Sequence, residues 1–291
     1  MAVQRGLESL RPARWRLFCD PLSSCFVSTR WRIILRAGHF PGVRRLVEAI
    51  YDRVGGPGPR ASAIARTRLI DDLLVREAHS AAQLVILGAG FDSRPYRLSP
   101  LQHLAIFEVD QPATQHVKRA AMRVTTSKLP NVHFVPVDFE HDDLTAALEA
   151  AHYERHGPTM FLWEGVTNYL TAAAVDTTLH AVRKLAGDHD LLIFTYVDRA
   201  LIDGDLDAFP EARRWIEGVT RRGEPWTFGL DPAGVPNFLA NRGFTLEQDL
   251  STAAAGDQYF KPLGRRERGS ALYHVVAARA ALRNVDAIST P

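Results

Sequence analysis

The chain has 291 residues, of which 46% are hydrophobic and 23% charged, and its formal net charge is +2 at pH 7. These values are typical of a globular enzyme built as one large domain, or as one domain with a small cap. The small net charge gives no case for a nucleic-acid partner. No apolar run approaches the roughly 20 residues that are needed to span a bilayer.

Charge is unevenly distributed along the chain. Residues 1–60 contain eleven arginines, no lysine and four acids, for a net charge of +7, so the remainder carries −5. A basic cap on a mildly acidic body favours an anionic small-molecule ligand, because it focuses the local field. A solvated arginine-rich face explains the same residues equally well.

Cys19 and Cys25 are the only cysteines. Two thiols in a chain of this length favour a reducing compartment, with neither a disulfide framework nor a zinc site. The first twenty residues are rich in arginine but have no continuous apolar core, unlike a signal peptide. We therefore expect a cytoplasmic protein with no membrane partner and no metal.

Five short apolar runs begin at residue 84 and alternate with longer segments of helical spacing. They cover residues 84–87, 103–109, 132–137, 159–163 and 191–197. Each run predicts a strand that is buried on both faces. The segments at 111–129 and 171–187 predict helices, and strands alternating with helices imply right-handed crossovers in a parallel sheet.

The C-terminal part breaks this alternation. Residues 232–250 predict a helix, a stop at Gly243 and a strand, and residues 271–280 predict a last strand. Because a Gly- and Arg-rich connection without a clear helix joins the two strands, we expect an antiparallel hairpin. The expected fold class is α/β: a Rossmann-like, doubly wound sheet of seven strands, mostly parallel with an antiparallel last strand. This is the outline of a class I methyltransferase.

Turn-forming residues at 54–62 divide the chain into two predicted parts. Residues 1–60 form an N-terminal helical cap, and residues 61–291 form the core. An insertion around residues 200–235 of the core is expected to line the substrate site. We expect the cap to close over the bound acceptor as a lid.

The first predicted strand runs directly into two glycines, Gly88 and Gly90. A dinucleotide-binding turn needs a third glycine, but Ser93 occupies that position and the Arg-Pro pair at 94–95 disfavours an immediate tight helix. A Walker loop is excluded because no Gly-Lys-Ser/Thr follows. A two-glycine turn without a phosphate cradle suits a cofactor without phosphates, such as S-adenosylmethionine.

Asp110 ends the second predicted strand, twenty-two residues after Gly88. An acid at this point can accept hydrogen bonds from both hydroxyls of a ribose. A surface turn is the alternative explanation for this residue. Glu108 would share the same face of the strand if the alternation continues.

Polar residues also close the third and fourth strands. Asp138 and Phe139 follow the third strand, where the acid can accept the adenine amino hydrogens and the aromatic ring can pack on the base. Alternatively, Asp138 caps the next helix. Glu164 ends the fourth strand, inside the crevice where open α/β sheets bind ligands, and can hold the cofactor's α-ammonium or contact adenine.

Together these stretches resemble the leucine carboxyl methyltransferase family, in particular its bacterial branch of polyketide-type O-methyltransferases. The matching stretches are "ARTRLIDDLL" (65–74), "LGAGFDSRPYRL" (87–98), "FEVDQP" (107–112), "PVDFE" (136–140) and "FLWEGVTNYL" (161–170). The resemblance extends over most of residues 60–280.

The resemblance implies S-adenosyl-L-methionine as cofactor and S-adenosyl-L-homocysteine as its product. Arg66 would grip the cofactor carboxylate, as a guanidinium fork does well, while Gly88 would line the methionine moiety. An ion pair with Asp71 or Asp72 is the alternative for Arg66 and the better explanation for Arg68. The implied cofactor-binding set is Arg66, Gly88, Gly90, Asp110, Asp138, Phe139 and Glu164.

Methyl transfer is an in-line displacement, so the protein mainly aligns the acceptor oxygen and excludes water. A carboxylate, with a reference pKa of about 4, is already ionised at neutral pH, whereas a phenol near 10 needs a base. His39, His116 and His274 are weak candidates for that base. We therefore expect a methyl ester on an anionic, natural-product-like small molecule.

Three alternatives stay open at this point. They are a phenolic O-methyltransferase acting on an aromatic polyketide, an NAD-type oxidoreductase that shares the fold outline, and a non-catalytic methyltransferase-like protein. Hydrolases are excluded because the chain has neither a G-x-S-x-G elbow nor a cluster of metal ligands.

Overall fold

The computed structural model describes residues 1–56, 58–122, 131–220, 223 and 225–283. Within these ranges a single sheet contains seven strands. They are β1 (Gln83–Leu87), β2 (Ala105–Asp110), β3 (Val132–Pro136), β4 (Thr159–Trp163), β5 (Leu191–Val197), β6 (Phe244–Ser251) and β7 (Tyr273–Ala280). The strand order is β3-β2-β1-β4-β5-β7-β6, and β7 runs antiparallel to both of its neighbours while the other pairs are parallel. This confirms the predicted fold class.

Twelve helices of the described residues accompany the sheet. They are α1 (Ala2–Ser9), α2 (Thr29–Ala37), α3 (Pro41–Gly55), α4 (Pro59–Glu77), α5 (Arg94–Arg97), α6 (Pro112–Met122), α7 (Leu144–Ala150), α8 (Ala172–Leu185), α9 (Arg199–Ile202), α10 (Ala212–Thr220), α11 (Val235–Ala240) and α12 (Thr252–Phe260). None of these helices is both long enough and apolar enough to cross a membrane.

The predicted elements match the observed ones closely up to β6. The five apolar runs correspond to β1–β5 within two residues at each end, and the segment at 171–187 contains α8. The segment at 111–129 contains α6, and its remainder, residues 123–129, lies outside the described residues. Gly243 stands between α11 and β6 with a φ of +75°, so the predicted glycine stop is confirmed.

The predicted hairpin at the C-terminal end is wrong. β6 and β7 do pair antiparallel, but α12 connects them. Its start is fixed by Ser251, whose hydroxyl accepts a hydrogen bond from the Ala254 amide at 3.2 Å. Consecutive alanines with a serine cap favour a helix. The Gly- and Arg-rich stretch that suggested a simple turn follows α12 instead of replacing it.

Alternate residues of the strands pack on opposite faces of the sheet. Val85, Leu87 and Phe107 belong to a buried cluster that includes residues of α7, α8 and α11. Leu84 and Ile86 belong to a second cluster, with residues of α4 and α12. Burial on both faces explains why the parallel strands are continuous apolar runs. It also leaves the carboxyl ends of the strands free to build a site at one edge.

The N-terminal segment is helical, as predicted, but the linker is shorter than predicted. α3 continues to Gly55 and α4 begins at Pro59, so residues 54–62 are mostly helix. The turn itself contains Gly56 and Gly58, with φ values of +84° and +100°, while residue 57 lies outside the described residues. The division into cap and core, and the closing of the cap as a lid, stay predictions.

Three of the eleven N-terminal arginines, Arg5, Arg44 and Arg60, are buried in ion pairs, while six others are exposed. Ion pairs also connect the N-terminal segment to the C-terminal part of the chain. Arg11 lies 2.6 Å from Glu267, and Arg265 lies 2.6 Å from Glu8. These contacts join the first helix and the segment after it to the loop that precedes β7. The local excess of arginine therefore serves, in part, to attach the N-terminal segment to the core.

Candidate active site

The turn after β1 requires glycine at Gly88. This residue has a φ of +66°, a region that favours glycine. A Cβ atom built there would collide with Cγ2 of Val166. Gly90 also has a positive φ, +41°. The two glycines therefore let the backbone turn tightly at the carboxyl end of the central strand, where open sheets bind their ligands.

Asp110 joins the ends of β1 and β2. One carboxylate oxygen accepts a hydrogen bond from the Gly90 amide at 2.5 Å, and the other accepts from the Gln111 amide at 2.7 Å. Each oxygen has a second lone pair, so the half-buried carboxylate keeps the capacity to accept from ligand hydroxyls. These bonds go beyond the contacts of a simple surface turn. Glu108, two residues earlier, is fully buried and pairs with Lys118 at 2.8 Å.

Asp138 and Phe139 lie at the same edge, directly after β3. Asp138 accepts a hydrogen bond from the Glu140 amide at 3.0 Å. The alternative that Asp138 caps the next helix is wrong, because Asp143 caps α7 by accepting from Thr145 at 2.8 Å. The Phe139 ring is tilted against the Trp163 ring, with 6.2 Å between their centroids.

A buried network of guanidinium and carboxylate groups occupies the next part of the edge. Glu164 is paired on both sides: one oxygen lies 2.8 Å from Arg66 Nε in an ion pair, and the other accepts a hydrogen bond from Arg94 Nη1 at 2.6 Å. Arg94 also lies 2.6 Å from Asp92 and 2.7 Å from Asp71. All five side chains are largely shielded from solvent, and Coulombic attraction is strong in such a setting.

The network fixes the charge of its acids. Burial alone would raise the pKa of Asp92, but the Arg94 guanidinium overcomes this and lowers it to about 2. Burial likewise opposes ionisation of Glu164, yet Arg94 and Arg66 lower its pKa. Both acids are therefore carboxylates at neutral pH, and weakly basic ones.

These residues open into a cavity of about 830 Å³. Arg66, Gly88, Gly90 and Glu164 of the predicted set line it, and the N-terminal helix contributes residues 1–5. Asp110, Asp138 and Phe139 lie along the strand ends beyond this lining. Much of the remaining wall is aromatic: Phe26, Trp31, Tyr51, Tyr169, Trp215, Trp226 and Tyr273.

Comparison with known proteins gives the family. The model of the leucine carboxyl methyltransferase family matches residues 1–183, more than half of the chain. The chain belongs to this family. It is 30% identical over 267 residues to a Frankia alni protein provisionally named an S-adenosyl-L-methionine-dependent methyltransferase, and the match covers 89% of each chain. A Streptomyces coelicolor protein with the same name is 30% identical over 257 residues, 87% of each chain.

Solved structures support the fold of this family member. A provisionally named methyltransferase from Thermobifida fusca superposes with a TM-score of 0.56, covering 95% of this chain and 97% of that chain at 15% identity. A DUF574 family protein from Streptomyces avermitilis gives a TM-score of 0.54, covering 95% and 96% at 13% identity. These identities are too low to bear on function.

The protein is thus an S-adenosyl-L-methionine-dependent methyltransferase, and the nicotinamide alternative is set aside. The residues at the strand ends suit this cofactor. A Cβ atom built on Gly165 would lie 3.8 Å from both Arg66 Nη2 and the Tyr273 hydroxyl, with no closer neighbour. The glycine therefore leaves space beside the guanidinium.

The histidines of this methyltransferase lie away from the cavity. His39 is exposed in the turn between α2 and α3, and His116 is exposed on α6. His274 contacts Asp249 at 2.8 Å and stacks on Tyr196 with 4.8 Å between centroids. None of the three is among the residues that line the cavity. Arg68, by contrast, pairs with Asp72 at 2.9 Å, as expected.

Reasoning from the sequence missed two sets of residues. Arg94, Asp92 and Asp71 stand inside the quoted stretches "LGAGFDSRPYRL" and "ARTRLIDDLL". Their position within the motifs was a signal that they share a site. The aromatic wall had no comparable signal, since Trp31, Trp215 and their neighbours come from separate segments that only the fold brings together.

Proposed function

We propose that this methyltransferase forms a methyl ester on the carboxylate of a small, natural-product-like acid of the polyketide type. One observation carries the proposal: among the described residues, the cavity lining offers no base that could deprotonate a phenol. A carboxylic acid needs none, since its pKa of about 4 leaves it ionised at neutral pH.

The titratable groups of the lining support this choice. The acids Asp92 and Glu164 are bound to Arg94, and their lowered pKa values make them poor proton acceptors. Burial raises the pKa of Tyr273, so this phenol stays protonated. A catalytic base should instead have a pKa near the working pH.

The cofactor would be held by the set predicted from the sequence. Arg66 and Glu164 lie side by side, 2.8 Å apart, and this pair is complementary to the carboxylate and α-ammonium of an amino-acid moiety. Asp110 has acceptor capacity for the ribose hydroxyls. Asp138 and Phe139 would contact the adenine, with the acid accepting from the amino group.

When bound, the cofactor supplies an electrophilic methyl group on a sulfonium. The acceptor carboxylate oxygen forms a bond to that methyl carbon while the carbon–sulfur bond breaks, and the electron pair remains on sulfur. No proton changes place. The task of the protein is to align the oxygen and to keep water out, and the N-terminal helix that lines the cavity would serve as part of the cover. We also propose a reducing, cytoplasmic location, because Cys19 and Cys25 are the only cysteines of this long sequence.

The test is the chemistry of the product. Purified protein is incubated with methyl-labelled S-adenosyl-L-methionine and matched acceptors, namely 2-naphthoic acid, benzoic acid, 2-naphthol and phenol. We expect label only with the acids, and we expect mild alkali to release it as volatile methanol, because esters hydrolyse and aryl methyl ethers do not. Alkali-stable label on the phenols alone would overturn the proposal in favour of the phenolic alternative.

A further inference from the structure

The helix α3 presents its apolar side chains to solvent. Thirteen large hydrophobic side chains are exposed among the described residues, and six of them belong to α2, α3 and the turn between these helices: Ile33, Phe40, Val43, Leu46, Ile50 and Val54. The buried residues of α3 are Arg44 and Glu48. A helix at the surface of a globular protein normally turns its apolar face to the core and its polar face to water. In α3 this arrangement is reversed.

We call these six exposed side chains the α2–α3 face. Four of them, at positions 43, 46, 50 and 54, follow one another at intervals of three or four residues. This spacing aligns them in a row on one side of the helix, about 16 Å long. Leu46 and Ile50, in the middle of the row, are 61% and 53% exposed. A concentrated apolar patch of this kind marks an interaction with a protein or a membrane.

The helices that carry this face are positively charged. The two acids of residues 29–55 are both paired with arginines: Glu48 lies 2.8 Å from Arg44, and Asp52 lies 2.6 Å from Arg60. Five further arginines of the same stretch are exposed, and none has a carboxylate partner in the part of the chain that the structure describes: Arg30, Arg32, Arg36, Arg45 and Arg53. Their positive charge is therefore not compensated within this part of the molecule.

Helical spacing places several of these arginines next to the apolar side chains. Arg30 and Arg36 stand three residues before and after Ile33 on α2. Arg53 stands three residues after Ile50 on α3. Residues three apart are neighbours on the surface of a helix. The α2–α3 face thus combines apolar contact with positive charge, and it fits a partner that is both apolar and anionic.

An anionic lipid bilayer fits this face better than a protein does. In a symmetric contact between two copies of the chain the same patch would face itself, and the arginines of one copy would meet those of the other. A typical protein interface also contains hydrogen bonds, but every side chain of the apolar row is a hydrocarbon. A bilayer requires no hydrogen bonds from that row, and its phosphates match the guanidinium groups. Helices that lie in a membrane interface combine the same features.

The α2–α3 face adjoins the cavity of the candidate active site. Val54 is 76% exposed and also lines the cavity. Trp31 of α2 and Tyr51 of α3 line it as well. Binding of this face to a bilayer would therefore place the cavity at the lipid surface, where an apolar acceptor is concentrated by partition into the bilayer.

We infer that the α2–α3 face binds an anionic phospholipid bilayer, with its apolar side chains among the acyl chains and its arginines at the lipid phosphates. This inference replaces the expectation of no membrane partner, which rested on the absence of an apolar run long enough to span a bilayer. A helix that lies in the membrane interface needs no such run. The inference goes beyond the proposed function and is the same for a carboxylate and for a phenolic acceptor.

The test is cosedimentation of the full chain with vesicles. One set of vesicles contains phosphatidylcholine alone, and the other contains about 30% phosphatidylserine. At about 0.1 M salt we expect partition onto the anionic vesicles to be about a hundredfold stronger than onto the neutral ones. At about 1 M salt, where the screening length falls to about 3 Å, we expect this preference to disappear.

Substitutions separate the apolar from the charged contribution. Ile50→Gln removes an aliphatic side chain from the row, and we expect partition onto anionic vesicles to weaken about tenfold. Its control is Val117→Gln on α6, because Val117 is 52% exposed, close to the 53% of Ile50, and lies outside the face. Arg45→Gln should weaken partition about fivefold at low salt. Arg199→Gln, which changes an exposed arginine of α9, should leave it unchanged.

The contrary outcomes are equally clear. No partition onto either kind of vesicle, or equal partition onto both, would overturn the inference. Equal losses in Ile50→Gln and Val117→Gln would also overturn it. A dimer in analytical ultracentrifugation that Ile50→Gln dissociates, together with no lipid binding, would assign the face to a second copy of the chain.

Two measurements keep these results separate from other failures. Affinity for S-adenosyl-L-homocysteine is measured calorimetrically in every variant, and an unchanged value shows that the variant is folded. The release of label by alkali decides the methyl ester without any vesicle. Loss of lipid binding would therefore contradict only the membrane inference.

Discussion

The charged half of the cavity, around Glu164, and its aromatic half, around Trp226, differ in how their polar groups are paired. In the charged half, Arg66, Arg94, Asp92 and Glu164 are all paired with one another. In the aromatic half, two indole donors have no partner in the described structure. A paired network is rigid and suits a ligand that never varies, such as the cofactor. An aromatic wall, in contrast, offers mainly apolar contact to a ligand.

The largest loss of stability is expected when the charged half loses its central cation, Arg94. Arg94→Met removes the cation that contacts Asp71, Asp92 and Glu164 and leaves buried carboxylates without compensation. We expect the free energy of unfolding in urea to fall by about 3–5 kcal/mol.

The matched control for this change is Arg199→Ala, which removes an exposed pair with Asp203 and should cost less than about 1 kcal/mol. Equal losses in the two variants would mean that the network contributes no more than a surface pair does. The charged half would then have no special role in stability.

Acid should weaken the charged half through Asp92. Because the folded-state pKa of Asp92 is lowered to about 2, its carboxylate stabilises the fold above the ordinary carboxyl pKa, and this contribution disappears as the pH falls from about 4 towards 2. The full loss, reached below pH 2, is about 2.6 kcal/mol, of which about 1 kcal/mol has occurred at pH 3. Unfolding measured at pH 7, 4 and 3 tests this, with Asp92→Asn expected to show a shallower decline. An identical decline in the variant would contradict the assignment.

The affinity for S-adenosyl-L-homocysteine tests the role of Asp110. Asp110→Ala removes the proposed ribose acceptor and the bond that holds the Gly90 amide. We expect calorimetry to show S-adenosyl-L-homocysteine bound about tenfold more weakly. Asp176→Ala, which alters a surface pair with Arg242, is the control. If both variants bind alike, Asp110 has no role in the cofactor site.

The smallest effect, a change in kcat, is expected when a candidate base is replaced. A general base contributes about 10²- to 10⁴-fold to the rate. His274 is outside the cavity lining and engaged with Asp249, so His274→Gln should change kcat by less than about twofold. Steady-state kinetics with the best acid checks this. A hundredfold loss would reinstate His274 as a catalytic group.

The features that could be predicted from the sequence are those that a local pattern determines. Parallel strands buried on both faces are continuous apolar runs, so β1–β5 were found directly. The helix α12 was missed because the glycines after it outweighed its alanines. Arg66, Gly88 and Glu164 stand in short motifs at strand ends, where sequence position already determines location in the fold.

The aromatic wall could not be predicted in this way. Trp31 lies far in the sequence from Trp215 and Trp226, and tertiary packing brings them to one cavity. The pairing of Glu164 with two arginines was also hidden, because Arg94 looked like part of a turn. Contacts between distant segments depend on helix packing, which no local pattern encodes.

The central claim, an acceptor that needs no base, is tested most directly by the pH dependence of kcat/KM at saturating cofactor. With the best carboxylic acid, we predict a level profile from about pH 6 to pH 9, because the acceptor carboxylate is ionised throughout. A profile that rises about tenfold per pH unit across this range would show that a proton must leave before transfer. That result would contradict the account.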